Sequence, residues 1–460
     1  MKTADLIEKL KSAVGEAAVL VEPRDIEPYT RDWRRMFEGR PACVVRPGNT
    51  SEVSAILRAC HDSGATIVPH GGNTGMAGGA TPDATGTQVV LSLQRMAEIR
   101  SLDPVGLTIE VEAGAVLQTV KEAVAETGRI LPISLASEGS ATIGGIISTN
   151  AGGVNVVRYG MARGLTLGLE VVLADGTVIN GLRHLRKDNA GYDLKQLFIG
   201  SEGTLGVVTA AVLRLMPNAR HRVTALLGVP DVSAAIKLFD LAMTEIGEAI
   251  SAFELISTSA MSLMTKHSGL VPPIAPAGWT ILLEATSSLA GLRPAAEALL
   301  EQGFDRGLVS DGVIAESDSQ AAGLWAMRER LSEAEGCEGP SVKHDVSVPL
   351  PAMPAFLRET EDLLATIAPS ARLNVFGHLG DGNLHTNVLL GPGSNPKEIN
   401  AAVHDLVAKF NGSISAEHGV GQYRVDELQR LKPVEELQLM VKIKKCLDPD
   451  RLLNPSKVVA

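Results

Sequence analysis

The fold of this chain is decided by Asn374-Val-Phe-Gly-His-Leu-Gly-Asp-Gly-Asn-Leu-His-Thr-Asn387, which sets two histidines on either side of an Asp-Gly pair. Asp381-Gly382 between two apolar runs is a strong signal for a two-residue hairpin, because both central residues of such a turn need positive φ. Pairing outward from that turn places His378 opposite His385 on one face, with Cβ atoms roughly 4.5–5.5 Å apart. The two imidazoles are therefore predicted to converge as the ligands of one metal ion do.

A second polar cluster follows at Ser415-Ala-Glu-His-Gly419. It offers a carboxylate, Glu417, and a third imidazole, His418. Two histidines and a glutamate with an open coordination position form a known catalytic zinc set, and a further histidine beside it is suited to act as a general base. Two histidines seven residues apart are a weak signal by themselves, so ordinary non-ligand histidines remain the alternative at this stage.

Composition and charge limit the classes of function. The chain has 460 residues, enough for two or three domains, and its net charge of −11 argues against nucleic acid or an anionic membrane as a partner. An anionic substrate must then be met by locally placed Arg or Lys. The apolar runs are shorter than the roughly 18 residues of a membrane-spanning helix, and the N-terminus has no signal-peptide core. Cys43, Cys60, Cys337 and Cys446 form no CxxC motif, and the expected location is a reducing cytoplasm.

Residues 42–79 are predicted to form a strand, a helix, a second strand and a glycine-rich loop. The helix begins at Asn49 and stops at Gly64, and Thr66–Pro69 is the second strand. That strand leads into His70-Gly-Gly-Asn-Thr-Gly-Met-Ala-Gly-Gly79. Five glycines in nine residues leave backbone N–H groups open to close approach, which suits a phosphate or pyrophosphate.

Two more loops rich in small residues follow, Ser137–Gly153 and Gly200–Thr209. Each lies beside Val/Ile/Leu runs typical of strands, so the three loops together predict one extended ligand, most naturally a nucleotide cofactor with a pyrophosphate. The chain contains neither GxGxxG nor GK[ST]. That absence argues against an ordinary Rossmann NAD site and against a P-loop ATPase.

These motifs resemble a known family. Gly71–Gly75, Ile143–Gly160 and Gly200–Gly206 resemble the FAD domain of the vanillyl-alcohol oxidase-like (PCMH-type) flavoproteins. The GHxGDGNxH and EHGxG patterns resemble the FAD-linked oxidase C-terminal domain. Within the superfamily, Leu167–Thr177 and Arg186–Phe198 are most similar to the D-2-hydroxyglutarate dehydrogenases, and D-lactate dehydrogenases and glycolate oxidase subunits share the scaffold.

The resemblance implies an α+β architecture. A two-subdomain FAD-binding PCMH-type domain would occupy residues 1–218. An α+β cap domain with an antiparallel sheet would occupy residues 219–460, carry the substrate and metal site, and end in short helices that return to the flavin.

The resemblance also implies how FAD is held. Some relatives attach FAD covalently through a histidine just after the first two glycines, and Asn73 stands there in this chain, so FAD is expected to bind non-covalently. The residues expected to contact the cofactor are Gly71, Gly72, Asn73, Thr74, Gly75, Thr142, Gly144, Gly145, Asn150, Gly203, Val207 and Asn454.

By resemblance, Arg328, Ser332 and Lys343 fall at substrate-binding positions, with Ser332 where the family more often has threonine. Asn387, two residues beyond His385, is predicted to add a polar contact on the same strand face.

The local pattern around these positions predicts a helix and a strand. Ala321–Glu335 is predicted as one helix with Trp325, Arg328 and Ser332 on one face. Ser341–Val348 is predicted as a strand with Lys343, Asp345 and Ser347 on one face and valines on the other.

The expected activity is FAD-dependent, metal-assisted oxidation of D-2-hydroxyglutarate to 2-oxoglutarate, with a hydride passing from C2 to flavin N5. Zinc, or manganese or cobalt, is expected on His378, His385 and Glu417, with His418 as the base. D-lactate or another D-2-hydroxymonocarboxylate is the alternative substrate, and a non-catalytic electron-transfer flavoprotein subunit is a third hypothesis. The family implies an electron-transfer flavoprotein, a quinone or a cytochrome as electron acceptor rather than NAD. A homodimer is compatible with the sequence, which does not fix the oligomeric state.

Overall fold

A computed structural model of the chain describes residues 3–459 and divides into two compact units. The first unit is formed by the residues up to Gly152, by Gly160–Asn218 and by the segment from Glu417 onward. The second unit is formed by Gly153–Tyr159 and Ala219–Ala416. The segment from Glu417, which the sequence assigned to the C-terminal domain, therefore packs within the first unit.

The helices alternate with strands through most of the described chain. In chain order the α-helices are α1 Thr3–Val14, α2 Pro23–Ile26, α3 Thr50–His61, α4 Leu117–Ala125, α5 Ile143–Thr149, α6 Val156–Tyr159, α7 Ala162–Leu165, α8 Lys195–Phe198, α9 Val232–Ile246, α10 Thr258–Ser268, α11 Leu292–Asp305, α12 Asp318–Glu329, α13 Leu331–Glu338, α14 Met353–Ile367, α15 Pro396–Lys409, α16 Val425–Leu431 and α17 Val434–Leu447.

The strands are short in the first unit and longer in the second. They are β1 Val19–Leu20, β2 Cys43–Val45, β3 Ile67–His70, β4 Val89–Ser92, β5 Ile99–Asp103, β6 Thr108–Glu112, β7 Arg129–Ile130, β8 Thr166–Val172, β9 Val178–Gly181, β10 Val207–Arg214, β11 Met216–Pro217, β12 His221–Val229, β13 Ile250–Ser257, β14 Trp279–Ser287, β15 Asp311–Ile314, β16 Ser341–Val342, β17 Asp345–Ser347, β18 Arg372–His378 and β19 Asn383–Leu389.

The first unit contains two separate main sheets. The first has the order β1-β2-β4-β3, with parallel pairing of β2 and β3 to β4, and the second is antiparallel in the order β5-β6-β10-β8-β9. Helix α3 begins where predicted, because the Asn49 side chain accepts the N–H of Glu52 at 2.9 Å and so caps the helix. Cys43 and Cys60 lie in the core, where burial raises the pKa of each thiol to about 12 and keeps it inert.

The C-terminal segment joins the first sheet of this unit. Leu453 forms a parallel bridge with Ile67 of β3, and the N–H of Asn454 donates to the Ile67 carbonyl at 2.7 Å. Lys444 fixes the approach, since its ammonium donates to the Asp448 carboxylate at 2.5 Å and to the Leu453 carbonyl at 2.8 Å. These bonds place Asn454 beside the strand that precedes the glycine loop.

The second unit is built on one antiparallel sheet of eight strands, ordered β15-β12-β14-β13-β18-β19-β16, with β17 also paired to β19. Side chains alternate between two hydrophobic clusters. Leu255 and Leu283 belong to one, and Ile256 and Leu282 belong to the other. Because side chains of β12, β13 and β14 are buried on both faces, these three strands are largely apolar. The α+β class predicted from the sequence is confirmed.

Within residues 3–459, no helix combines the length and the apolar character that crossing a membrane requires.

Candidate active site

The glycine loop after β3 passes very close to the backbone and side chains around the start of α5. A Cβ added at Gly71 would lie 2.5 Å from Thr142 Oγ1, and one added at Gly72 would lie 1.9 Å from the Ser140 carbonyl oxygen. A Cβ at Gly75, by contrast, meets nothing within 4 Å. Glycine is therefore required at the start of the loop by close packing, while the loop turns an open backbone surface outward at Gly75.

Buried polar atoms at this loop fit a bound cofactor. Among the described residues, Thr142 Oγ1 and Asn454 Oδ1 are buried and accept or donate no hydrogen bond. Buried polar atoms are nearly always paired, so two unpaired atoms beside a glycine loop suit a polar ligand bound there. Asn73 takes a left-handed φ of 54° and its amide donates to the Arg31 carbonyl at 2.8 Å. The residues predicted to hold FAD thus fit such a group.

The other predicted cofactor residues lie in the same unit. Asn454 donates to the carbonyls of Gly79 and Glu202 at 3.0 and 2.8 Å. Gly203 has a φ of 71° and lies against Pro69 of β3. The remaining ones occupy α5 and its two ends or the start of β10, namely Thr142, Gly144, Gly145, Asn150 and Val207.

Glu202 was missed by the sequence analysis. Its two carboxylate oxygens accept the backbone N–H groups of Val420 and Gly421 at 2.7 and 2.8 Å. Burial raises the pKa of this carboxyl, although the two N–H groups and Arg424 oppose that rise. A Cβ at Gly419 would come within 2.7 Å of Glu202, so only glycine fits there. Glu202 therefore fixes the backbone just after Glu417 and His418.

The predicted hairpin forms in the second unit, but its predicted register was wrong. His378 pairs with Asn383, and Phe376 pairs with His385. Leu379–Asp381 is a 3₁₀ turn, and only Gly382 of the predicted Asp-Gly pair has positive φ. The loop is thus two residues longer than a two-residue turn allows.

The prediction that His378 and His385 lie close together on one face is confirmed despite the wrong register. A shift of two residues returns every side chain to the same face, because the side-chain period of a strand is two. His378 and His385 are diagonal neighbours whose ring centroids lie 5.8 Å apart, and each offers a ligand atom within 4.8 Å of the other's.

One face of the second sheet collects the polar groups around these histidines. The registers place Glu254 of β13 opposite His378 and place Asp345 of β17 opposite His385. The register of β17 with β19 continues that of β16, so Lys343 falls opposite Asn387. The predicted shared face of Lys343, Asp345 and Ser347 is consistent with this register, although the predicted single strand is interrupted after Val342. There the side chain of Asn387 accepts the N–H of His344 at 3.2 Å.

Arg328 and His378 meet on a buried carboxylate that the sequence analysis did not identify. Glu254 Oε1 lies 2.5 Å from His378 Nδ1, and Glu254 Oε2 accepts from Arg328 Nε at 2.6 Å. The Arg328 guanidinium also stacks over Phe376 at 5.1 Å from the ring centroid. Burial alone would raise the pKa of Glu254, but the facing His378 and Arg328 outweigh it and lower the pKa to about 2. The sequence does contain a signal for this buried carboxylate, because Glu254 is the only charged residue in the otherwise largely apolar stretch Ile250–Ser257.

Lys343 and Asn387 meet on a second buried carboxylate, Glu335. It accepts from Lys343 Nζ at 2.9 Å, and from Asn387 Nδ2 and Asn374 Nδ2 at 2.8 Å each. Burial would raise the pKa of Glu335, yet Lys343 and the amide donors lower it below the ordinary value. Each cation predicted to bind substrate is therefore held by its own buried glutamate.

The helix that carries Arg328 differs from the prediction. It ends at Glu329, and a second helix starts at Leu331, so Ala321–Glu335 is two helices rather than one. Arg328 is buried while Ser332, in the first turn of the second helix, is exposed. The break separates Ser332 from the helical face that Trp325 and Arg328 share.

Glu417 and His418 begin the last segment of the first unit. Ala416, the final residue of the second unit, is fixed there because its N–H donates to the Asp345 carbonyl at 3.1 Å.

Comparison with known proteins decides the family. The family described as FAD linked oxidases, C-terminal domain, matches residues 218–458, and the FAD binding domain family matches residues 41–181. The chain belongs to the FAD-linked oxidases. The match confirms the predicted resemblance, and the glycine-rich loop lies within the residues that match the FAD binding domain family.

Named relatives agree with this assignment. The FAD-linked oxidase is 43% identical to the mitochondrial D-2-hydroxyglutarate dehydrogenase of Bos taurus, over 96% of this chain and 81% of the relative. It is 39% identical to the D-2-hydroxyglutarate dehydrogenase of Xanthomonas citri, over 98% of this chain and 96% of the relative. A putative mitochondrial D-lactate dehydrogenase of Schizosaccharomyces pombe is 34% identical, with 98% of this chain and 90% of the relative covered.

Solved structures show the fold. Substrate-bound p-cresol methylhydroxylase superposes with a TM-score of 0.78 at 17% identity, covering 99% of this chain and 96% of the other. The 4-ethylphenol oxidase of Gulosibacter chungangensis gives a TM-score of 0.77 at 19% identity, covering 99% and 97%. The predicted PCMH-type FAD-binding fold is thereby confirmed.

The predicted cytoplasmic location was wrong. The Bos taurus relative and several other eukaryotic ones are named mitochondrial. The prediction rested on scattered cysteines and on the lack of a signal-peptide core. Unpaired cysteines indicate only that a compartment is reducing, and they do not say which compartment it is.

Proposed function

We propose that this FAD-linked oxidase oxidises D-2-hydroxyglutarate to 2-oxoglutarate. The observation that carries the proposal is the polar face of the second sheet, where Arg328 and Lys343 are each held by a buried glutamate. The names of the Bos taurus and Xanthomonas citri relatives support the same substrate.

The two cations suit a dicarboxylate although each already has a glutamate partner. A guanidinium has five N–H donors and an ammonium has three. Glu254 accepts from Nε of Arg328, which leaves the two-nitrogen end of the fork suited to a substrate carboxylate. Glu335 accepts one N–H of Lys343, whose side chain is 29% exposed. In this proposal Arg328 and Lys343 bind the two carboxylates of the substrate, and Asn387 and Ser332 complete its polar surroundings.

A divalent metal on His378, His385 and Glu417 forms the second part of the proposal. The support is the facing imidazole pair and the donor chemistry, since two imidazoles and one carboxylate suit zinc, and also manganese or cobalt. When bound, the metal would lower the pKa of the C2 hydroxyl and fix the substrate. Contact of His378 Nδ1 with Glu254 leaves Nε2 as the ligating atom.

Oxidation at C2 removes one proton and one hydride from the substrate. An imidazole nitrogen of His418 takes the hydroxyl proton as C2 becomes a ketone carbon. FAD, held non-covalently by the residues at the glycine-rich loop, would supply the acceptor for the hydride released from C2. Arg328 and Lys343 hold the substrate still during the transfer, and such positioning is commonly worth several kcal/mol. Glu202 keeps the backbone that carries His418 in place.

Turnover also requires an acceptor for the two electrons removed from the substrate. We propose an electron-transfer flavoprotein, a quinone or a cytochrome in that role, in keeping with the family. The proposal does not require a second subunit, and a homodimer remains compatible with it.

D-lactate is the second candidate substrate, favoured by the Schizosaccharomyces pombe relative. It has one carboxylate, so it would use Arg328 and leave Lys343 with Glu335 alone. The two substrates therefore differ in their need for Lys343.

Anaerobic reduction of the bound flavin tests the proposal. The purified protein is mixed with D-2-hydroxyglutarate, L-2-hydroxyglutarate or D-lactate, before and after treatment with EDTA. We expect D-2-hydroxyglutarate to bleach the flavin fastest, EDTA to abolish bleaching and Zn²⁺ to restore it. Faster bleaching by D-lactate would favour the second substrate, and an oxidised flavin with every 2-hydroxy acid would contradict the catalytic roles.

A further inference from the structure

Glu254 contacts both a proposed metal ligand, His378, and a proposed substrate-binding residue, Arg328. Its side chain is fully buried at the centre of β13. One carboxylate oxygen faces His378 Nδ1 and the other accepts from Arg328 Nε, at 2.5 and 2.6 Å. Neither the sequence motifs nor the family match singles out this residue.

The chemistry of the two partners requires a carboxylate. Arg328 Nε is always a donor, and His378 Nδ1 donates when its ring is the neutral tautomer with Nε2 unprotonated. Two donors that converge on one side chain need an acceptor at both oxygen positions. Glutamine would turn an NH₂ group towards one of them and leave two donors facing each other in a buried site, which is costly.

Each contact has a separate consequence. The contact with His378 sets the tautomer and the ring plane, so that Nε2 is the ligating atom. The contact with Arg328 fixes the guanidinium through Nε, which orients its two terminal nitrogens. We propose that Glu254 is a positioning residue that couples metal affinity to substrate-carboxylate binding, so that its loss weakens both. This inference rests on the proposed function.

Glu335 provides the comparison within the same face. It binds Lys343, Asn374 and Asn387 but no histidine. Substitution there should disturb substrate binding alone. Joint loss of metal and substrate binding is therefore expected for Glu254 and not for Glu335.

Glu284 provides a matched control. It lies on the neighbouring strand β14 and accepts from Trp325 Nε1 at 2.7 Å and Thr224 Oγ1 at 3.1 Å. Glu284 thus binds α12 through Trp325, as Glu254 does through Arg328, but Trp325 is not a proposed metal ligand or substrate-binding residue. Glu284→Gln keeps an oxygen for Trp325 and removes a charge from the same sheet.

The experiment compares Glu254→Gln, Glu335→Gln and Glu284→Gln in the FAD-loaded protein. FAD content and thermal unfolding report folding. Competition with a chelator gives the Zn²⁺ dissociation constant, and steady-state assays with D-2-hydroxyglutarate give KM and kcat. We expect Glu254→Gln to weaken Zn²⁺ binding by about 10- to 100-fold and to raise KM. We expect Glu335→Gln to raise KM alone, and Glu284→Gln to change neither.

The outcomes separate this inference from the proposed function. If folded Glu254→Gln keeps the wild-type Zn²⁺ affinity, Glu254 does not couple metal binding to substrate binding, but the proposed metal site is unaffected. A wild-type protein that binds none of Zn²⁺, Mn²⁺ and Co²⁺ would overturn both this inference and the metal site of the proposed function. If Glu254→Gln fails to retain FAD, Glu254→Asp replaces it, since the shorter side chain keeps the charge but cannot reach both partners. A folded Glu254→Asp with wild-type Zn²⁺ affinity and KM would refute the inference, and a joint loss of both would support it.

Discussion

Lys343→Met should separate the two candidate substrates. Lys343 Nζ donates to Glu335 at 2.9 Å, and the proposal gives its remaining donors to the distal carboxylate of D-2-hydroxyglutarate. A hydrogen bond between charged groups contributes about 1.5–3 kcal/mol, and the 29% exposure of the lysine side chain favours the lower end of that range. A loss of about 1.5 kcal/mol corresponds to roughly tenfold in kcat/KM.

Folding should tolerate this change. Removing one member of a buried ion pair costs about 3–5 kcal/mol when the other is left without partners. Glu335 keeps hydrogen bonds from Ser341, Asn374 and Asn387 at 2.8–2.9 Å, so the loss of unfolding free energy should be about 1–2 kcal/mol.

The assay measures kcat/KM for D-2-hydroxyglutarate and for D-lactate with one artificial electron acceptor. Lys343→Met should lower the value for D-2-hydroxyglutarate about tenfold and change that for D-lactate by less than about twofold. Lys266→Met is the matched control, because Lys266 is a largely exposed lysine of the same unit that pairs with Glu338. Equal losses for both substrates, or no loss for either, would refute the assignment of Lys343 to the distal carboxylate.

Three further predictions concern stability, the loop after Glu417 and the metal. Burial lowers the pKa of His70 from 6.5 to about 4, so its contribution to stability is present above about pH 6.5 and is lost as the pH falls through 4. Urea unfolding at pH 7 and pH 4 measures how much unfolding free energy the protein loses on acidification, and His70→Phe should make that loss about 3 kcal/mol smaller. An unchanged pH dependence would show that the loss does not come from His70. Glu202→Gln replaces one of the two oxygens that accept N–H groups from Val420 and Gly421, and it should lower the unfolding free energy by about 2 kcal/mol. It should also reduce kcat more than it changes KM, and a normal kcat in the folded variant would show that other contacts hold this loop. Chelation should abolish flavin reduction without releasing FAD, because the predicted FAD residues and the predicted metal ligands are different residues. Loss of FAD absorbance from the protein fraction would show instead that the metal holds the cofactor.

The glycine-rich half of the fold was readable from the sequence because its signals are local. Asn49 caps its helix through the N–H of Glu52, and the close approach of Gly71 to Thr142 explains why the loop needs glycine. The cap follows from residues three positions apart, whereas the contact of Gly71 with Thr142 joins distant segments and explains the glycines only once the structure is known. Local rules therefore predicted the strands and the helix that precede the glycine-rich loop.

The hairpin was predicted in kind but not in register. The Asp-Gly pair favours a two-residue turn, whereas the chain forms a longer loop in which the Asp381 carboxylate accepts the N–H of Asn383 at 3.1 Å. The shared face of His378 and His385 was nonetheless predictable, because an error of two residues conserves the face.

The buried glutamates lay outside what local rules can predict. Glu254 and Arg328 are separated by 74 positions, and their pairing depends on how a helix packs on the sheet. Glu335 pairs with Lys343 from a second helix that starts at Leu331, and the pattern of apolar residues does not show the break before this helix. The one usable signal was a charged residue inside an apolar strand, since burying an unpaired carboxylate is too costly to be accidental.

The stoichiometry of a single turnover tests the central claim most directly. Metal-replete protein with fully oxidised FAD is mixed anaerobically with excess D-2-hydroxyglutarate, and reduced flavin and 2-oxoglutarate are quantified in the same sample. The account predicts complete flavin reduction with one 2-oxoglutarate formed per FAD. Reduced flavin without 2-oxoglutarate, or a flavin that stays oxidised, would contradict it.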